Sequence, residues 1–416
     1  MKEREKERLP LRKYRVLDLT DESGVLCTKI LAALGADVIR VEPPGGDPTR
    51  RIGPFYHDEP DPEKSLHWFT YNLNKRSITL NIECVTGQEL FKRLVKTADF
   101  LVECFPPGYL DKVGLGVKEL NAINPRLVQT SITPFGSTGP YRDFKGSDLV
   151  CSALGGFLYT LGHPDRPPVQ VTTPVTYVEG GIHAAAATMV AFWHRQRTGE
   201  GQHVDASNRE AIMSQFINPG FLWKAEKTIP TRDATGMALP GRPTNRGVAK
   251  CKDGYLLYHT GHFSTRQALR ELLASEGMAG DLMDKKWDRI FLGGEPVSIE
   301  LRKEIDELFN AFAAKYTREE LMNMAQKKGA QVVKEQTVVD IVNDAHLKER
   351  GFFVKVEHPE LGENITYGNA PFKSDEMSWQ FYRRAPFIGE HNKEIYTGEL
   401  KLTPQELAIL KEGGVI

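Results

Sequence analysis

Through the first 150 positions, short apolar runs alternate with amphipathic stretches. Arg15–Thr20, Ala36–Glu42, Ser77–Ile82, Asp99–Glu103 and Leu127–Ile132 are rich in Val, Ile and Leu and too short for buried helices, so they read as strands. Between them Gly24–Leu34 and Gly87–Lys96 carry helical spacing. Near-continuous apolar strands separated by helices predict a parallel sheet covered on both faces. That is an α/β, Rossmann-like doubly wound layer, with ligands expected at the carboxyl ends of the strands. Ala184–Arg197 reads as a further helix, whose alanines allow close backbone approach. Arg195 and Arg197 suit its C-terminal end, and Gly199 stops it.

From about position 208 the rhythm breaks. Thr228–Thr244 is turn-rich. A strand at Asp253–Tyr258 and amphipathic helices around 264–275, 299–314 and 317–328 describe a smaller α+β domain. Residues 335–390 return through strands such as Phe352–Val356, and Thr403–Gly413 is a helix capped by Thr403 with Pro404 at its first position. The expected organisation is a solvated tail (1–14), a large domain (15–207, completed by 390–416), a linker (208–230), a small domain (231–334) and a returning linker (335–389).

Composition narrows the function. A chain of 416 residues suggests two domains, and 26% charged with 40% hydrophobic residues suits a soluble folded protein. A net charge of −1 gives no reason to expect nucleic acid or an anionic membrane as partner. No apolar run has membrane-spanning length, and the charged N-terminus lacks the apolar core of a secretory signal. The 5 cysteines are scattered without a CxxC pair, which suggests free thiols in a reducing cytoplasm. The 11 histidines show no HxxxH or HExxH spacing, so no metal is expected. The turn after the first strand is Asp21–Gly24, without GxGxxG, and GxxxxGK[ST] is absent; a nicotinamide or ATP enzyme is disfavoured.

Longer phrases carry a more specific signal. Leu31–Arg50, Asn72–Ser77, Val102–Gly108, Ser131–Pro140 and Arg195–Gln202 stand in the order and spacing of the family III (CaiB/BaiF-like) CoA-transferases, and the chain resembles that family. The resemblance implies a large Rossmann-like domain, a smaller domain, an interlocked dimer, and coenzyme A or its thioesters as substrate. It places CoA against Glu22, Thr79, Leu80, Asn81, Cys104, Phe105, Pro106, Lys112, Lys145 and Asp148. Some positions depart from the family pattern. Cys104 stands for Asn, Lys112 for Arg, Glu22 for an amide, and Gly24–Val25 for Gly-Pro. The cluster Arg50, Arg51, Lys75 and Arg76 reads either as a phosphate-facing patch or as rim cations paired with acids.

The family's nucleophilic Asp lies four residues before a glycine that opens an Ala-rich helix; here that glycine is Gly181 and the residue is Tyr177. CoA transfer between carboxylates needs a group that forms an anhydride and then a thioester, which a phenol does not provide. Tyr177 reads as a packing or hydrogen-bonding residue. Glu179 is the nearest carboxylate; were the segment extended, a two-residue offset would keep it on the same face. The resemblance is strongest to the subunit lacking the Asp in heteromeric transferases acting on benzylsuccinate in anaerobic aromatic degradation. It implies a homologous partner carrying the Asp, a donor such as succinyl-CoA, and a carboxylic-acid acceptor such as an aryl-succinate. A self-sufficient enzyme using Glu179 and a non-catalytic CoA-ester binding protein remain as alternatives.

Overall fold

A computed structural model describes residues 8–215, 217–233, 236–240, 244, 246–292 and 297–416. The chain forms two compact units, one of 1–155, 171–215 and 345–416, the other of 156–170 and 216–344. In the first unit the chain runs β1 (Arg15–Leu19), α1 (Val25–Ala33), β2 (Asp37–Glu42), β3 (Arg76–Thr79), α2 (Val85–Val95), β4 (Phe100–Glu103), α3 (Tyr109–Lys112), β5 (Val128–Thr133), α4 (Asp148–Leu154), α5 (Val175–Thr198), β6 (His203–Ser207) and α6 (Asn208–Ser214). The strands form one parallel sheet in the order β3-β2-β1-β4-β5-β6. This is the doubly wound α/β layer expected, with β6 added at an edge that sequence reading left unassigned.

Alternation along the strands splits the core between two faces. Leu17, Ile39, Ile78 and Leu101 pack against α2 and the C-terminal segment. Val16, Val38, Phe100 and Ile132 pack on the other face against α1 and α5. Helix α5 approaches α1 through glycine: a Cβ on Gly181 would lie 2.8 Å from Leu26 Cβ. About two turns further along, Thr188 Oγ1 lies 2.7 Å from Thr130 Oγ1 of β5. These contacts fix where α5 begins relative to the strand ends.

The second unit contains the antiparallel sheet of β7 (Arg246–Cys251), β8 (Gly254–His259) and β9 (Val332–Lys334), in the order β9-β8-β7. It packs on α7 (Phe263–Ser275), α8 (Ile299–Ala313) and α9 (Arg318–Lys327), which match the three helices expected. Within the turn-rich stretch, Thr231–Asp233 pairs with Gly236–Ala238, and residues 241–243 lie outside the described residues. The chain then returns to the first unit as the hairpin β10 (Phe353–His358) and β11 (Glu363–Gly368), followed by α10 (Pro404–Glu412).

Two expected connections are built into the first unit's packing. Of the tail, 1–7 lie outside the described residues, but Leu9 and Leu11 are buried, Leu9 against Gly35. In the returning linker, Val356, Tyr367 and Phe381 close a core with Trp68 and Phe69. Thr403 caps α10 with a reciprocal Glu406 bond, as its Thr-Pro start anticipates.

Candidate functional site

The strand ends of the large unit present two neighbouring groups of residues. The first surrounds a cavity of about 570 Å³ whose walls include Leu19, Val41, Leu80, Ile82, Phe105 and Tyr109. Phe105 and Tyr109 stack with centroids 4.5 Å apart, and the Tyr109 hydroxyl donates to Glu83 Oε1 at 2.8 Å. Burial and then Glu83 push the Tyr109 phenol up to about 12. The C-terminus reaches this cavity: Gly414 lines it, and Val415 O accepts from Asn81 N at 2.7 Å. Asp21, Asp47 and Glu83 also line it, so its apolar floor carries an acidic rim.

Of the residues expected to meet CoA, Leu80, Asn81 and Phe105 line this cavity. Thr79 is committed elsewhere: its N–H donates to Asn392 Oδ1 at 2.9 Å, and its hydroxyl accepts from Asn392 Nδ2 at 2.8 Å. Pro106 lines a smaller neighbouring cavity. Lys112 and Lys145 are exposed and contribute to neither wall. Cys104 sits against the β1–α1 turn, where a Cβ on Gly24 would overlap its sulfur. Burial holds the Cys104 thiol well above its ordinary value, so it packs as an apolar group.

The second group centres on Tyr177. Helix α5 begins at Val175, nine residues earlier than the alanine run suggests, so Tyr177 stands in its first turn. Pro174 at the cap position offers no side-chain acceptor; the Asp148 carboxylate takes that role, accepting from Thr176 N and Thr176 Oγ1, each at 2.8 Å. The Asp148 backbone acts on the Tyr177 phenol as well, in the direction that lowers its pKa. Burial, then Glu22, raise the Tyr177 phenol above its ordinary value. Glu22 is itself raised, by burial and then by Asp21 and Asp148. A phenol, two carboxylates and the start of α5 therefore meet at one place. Here Asp148 builds the helix start and Glu22 is the carboxylate beside Tyr177.

The helical start overturns the same-face argument for Glu179. Two residues along a helix turn the side chain by about 200°, to the far side. Glu179 Oε2 accepts from Gln215 Nε2 at 3.2 Å, away from the group around Tyr177. The alternation rule failed because it needed a strand, and Asp148, distant in sequence, supplies the cap that starts a helix instead.

The phosphate-facing reading of the basic cluster is likewise overturned for three of its four members. Lys75 Nζ bonds Asp18 Oδ2 at 2.8 Å, Thr28 Oγ1 at 2.8 Å and Asn72 Oδ1 at 3.0 Å, fully buried. Arg50 forks onto Glu42 at 2.7 and 2.8 Å. Arg76 bonds Asp37, Glu394 and Glu399. Arg51 is exposed. Although burial raises it, Asp18 is held below the usual carboxylate range by Lys75 and Arg40. This network ties β1, β2 and β3 together beneath the cleft.

Sequence reading passed over Glu103, the last residue of β4. It is 7% exposed, and burial pushes its carboxyl up to about 7, with Asp21 and Asp205 adding to the rise. The available signal was an acid ending an otherwise apolar strand. Among the described residues no group of His, Cys, Asp and Glu is arranged to hold a metal ion, and no helix is long and apolar enough to cross a membrane.

Comparison with known proteins agrees with this architecture. Residues 11–392 match the model of CoA-transferase family III. The chain is 36% identical over 392 residues to succinyl-CoA:(R)-benzylsuccinate CoA-transferase subunit BbsE of Thauera aromatica, covering 92% of each. It is 33% identical to succinyl-CoA–D-citramalate CoA-transferase of Chloroflexus aurantiacus, covering 98% of each. Among solved structures it resembles a CAIB/BAIF family protein from Brucella suis, at 28% identity and a TM-score of 0.79, over 94% of this chain and 99% of that one.

Proposed function

Because this chain belongs to CoA-transferase family III, we propose that it is the subunit without a nucleophile in a heteromeric CoA-transferase. A homologous subunit carrying the Asp would perform the covalent step, in an interlocked assembly. The observation that carries the reading is Tyr177: where the resemblance to the family puts the nucleophilic Asp, this chain has a half-buried phenol. The family reaction needs a carboxylate that displaces CoA thiolate from the donor carbonyl as an anhydride forms, then takes the thiolate back as a thioester. Tyr177 provides no such group, and Glu179 faces elsewhere.

The 570 Å³ cavity is the place for CoA in this proposal. Its size and apolar floor suit an adenine or pantetheine arm, and the Phe105–Tyr109 stack offers a flat wall. Its acidic rim opposes a polyanion, so the phosphates would lie outward, on the side of the exposed Lys112. Similarity to a benzylsuccinate transferase subunit supports succinyl-CoA as donor and an aryl-succinate as acceptor. The test is reconstitution: the chain alone and the chain mixed with an Asp-bearing homologue are assayed for CoA transfer from succinyl-CoA to benzylsuccinate. Transfer only in the mixture supports the proposal; full transfer by the pure chain rejects it.

One observation favours a second reading, a self-sufficient transferase whose carboxylate is Glu22. Glu22 shares the surroundings of Tyr177 and is poised above its ordinary pKa. Hydroxylamine trapping on succinyl-CoA, followed by peptide mapping, separates the two. A label on Glu22 selects this reading, and an unlabelled chain rejects it.

A further inference from the structure

The carboxyl end of β4 holds a buried acid that neither reading uses. Glu103 Oε2 accepts from the Phe105 N–H at 2.6 Å. Ser131 is its register partner on β5, and the Ser131 hydroxyl favours the ionised form of the same carboxyl. Ser131 Oγ also lies 2.9 Å from Nε2 of His203, which is exposed on β6. These groups border a cavity of about 90 Å³ that shares Phe105 with the larger one. The charged groups acting on Glu103 are Asp21 from the β1–α1 turn and Asp205 from β6, and Asp111 of α3 lines the same cavity. No Lys or Arg lines it.

Two hydrogen-bond arrangements are available to this chain of groups. With Glu103 ionised, His203 Nε2–H donates to Ser131 Oγ, and the Ser131 hydroxyl donates to the carboxylate. With Glu103 protonated, its O–H donates to Ser131 Oγ, and the Ser131 hydroxyl donates to an unprotonated Nε2. The exposed imidazole thus connects a buried carboxyl to solvent through one hydroxyl, with no net change in bonds or protons beyond the one exchanged. Only in the first arrangement is the bond to the Phe105 amide charge-assisted, which makes it roughly twice as strong.

We propose that Glu103 is a proton-linked positioning residue: its carboxylate fixes the Phe105 amide and with it the Phe105–Tyr109 wall of the larger cavity, and Ser131 and His203 carry its proton to solvent. The consequence for CoA rests on reading that cavity as the CoA cleft; the positioning itself does not.

The test follows the Phe105 amide by NMR in protein labelled with nitrogen-15 phenylalanine, between about pH 5.5 and 8.5. The amide resonance is expected to titrate near neutrality in the native protein and to lose that titration in Glu103→Gln. Ser131→Ala should move the midpoint up, because the hydroxyl favours the ionised form. Asp205→Asn should move it down, because that carboxylate opposes it. A Phe105 amide that does not titrate, or that titrates equally in Glu103→Gln, overturns the proposal. So do midpoints that move the opposite way in these two variants. With saturating CoA the midpoint should fall by about half a unit, since a ligand packed on the wall selects the ionised form. An unchanged or higher midpoint with CoA bound counts against positioning and for simple charge repulsion. No CoA binding at any pH overturns the cleft assignment while leaving the free-protein titration to decide the role of Glu103.

Discussion

The Asp148 carboxylate accepts from Thr176 N and Thr176 Oγ1, each at 2.8 Å. The start of α5 and the start of α4 are therefore locked together one residue before Tyr177. Tyr177→Phe removes a half-buried hydroxyl and leaves the ring in place. It should cost about 1 kcal/mol in chemical denaturation and change transfer by the reconstituted complex less than about threefold. A loss of hundreds-fold would mean that the phenol takes part in the chemistry.

The buried network under the sheet should be far more sensitive. Lys75→Met leaves Asp18 facing Arg40 and Thr28 without its ammonium partner. Breaking a buried pair on one side costs about 3–5 kcal/mol, which urea denaturation at neutral pH would read directly. A cost below about 1 kcal/mol would show that Lys75 faces the solvent-filled cleft after all.

Glu103 makes the stability pH-dependent with a definite sign. Its native pKa of about 7 lies above the model-peptide value of 4.5. Between those values the native state holds the proton that the unfolded chain releases, so this group's contribution falls as pH rises and is fully lost above about 7. The stability of Glu103→Gln relative to native should therefore grow by on the order of 3 kcal/mol between about pH 4.5 and 8. Parallel curves for the two proteins would contradict the raised pKa.

The cavity wall and the exposed cations separate two ways of holding CoA. Phe105→Ala removes one face of the stacked pair and should weaken CoA binding about tenfold by calorimetry. Lys112→Ala alters an exposed charge and should weaken it less than about threefold at physiological salt, with the difference shrinking as salt rises. The reverse ranking would place the binding energy on the phosphates.

What could be read from the sequence was what depends on local pattern. The apolar strands, the helices of the smaller unit and the Thr403 cap need only neighbouring residues to specify them, and each stands close to its expected limits. The roles of Lys75, Arg76 and Arg50 depend on acids that the fold brings from β1, β2 and the C-terminal segment, so spacing left them open. The start of α5 depends on a carboxylate 28 residues upstream, and without it Glu179 looked like a neighbour of Tyr177. Leu9, Leu11 and Phe381 sit in segments that look like tail and linker until the cores they complete are in view.

The central claim is that this chain supplies structure and cleft, but no nucleophile, to a two-subunit transferase. The measurement that tests it most directly is CoA transfer from succinyl-CoA by the purified chain, alone and after mixing with an Asp-bearing homologue. The account predicts no turnover from the chain alone and turnover from the mixture that disappears when the homologue's Asp is replaced by Ala. Full turnover from the chain alone, with a trapped acyl group on one of its own carboxylates, would contradict it.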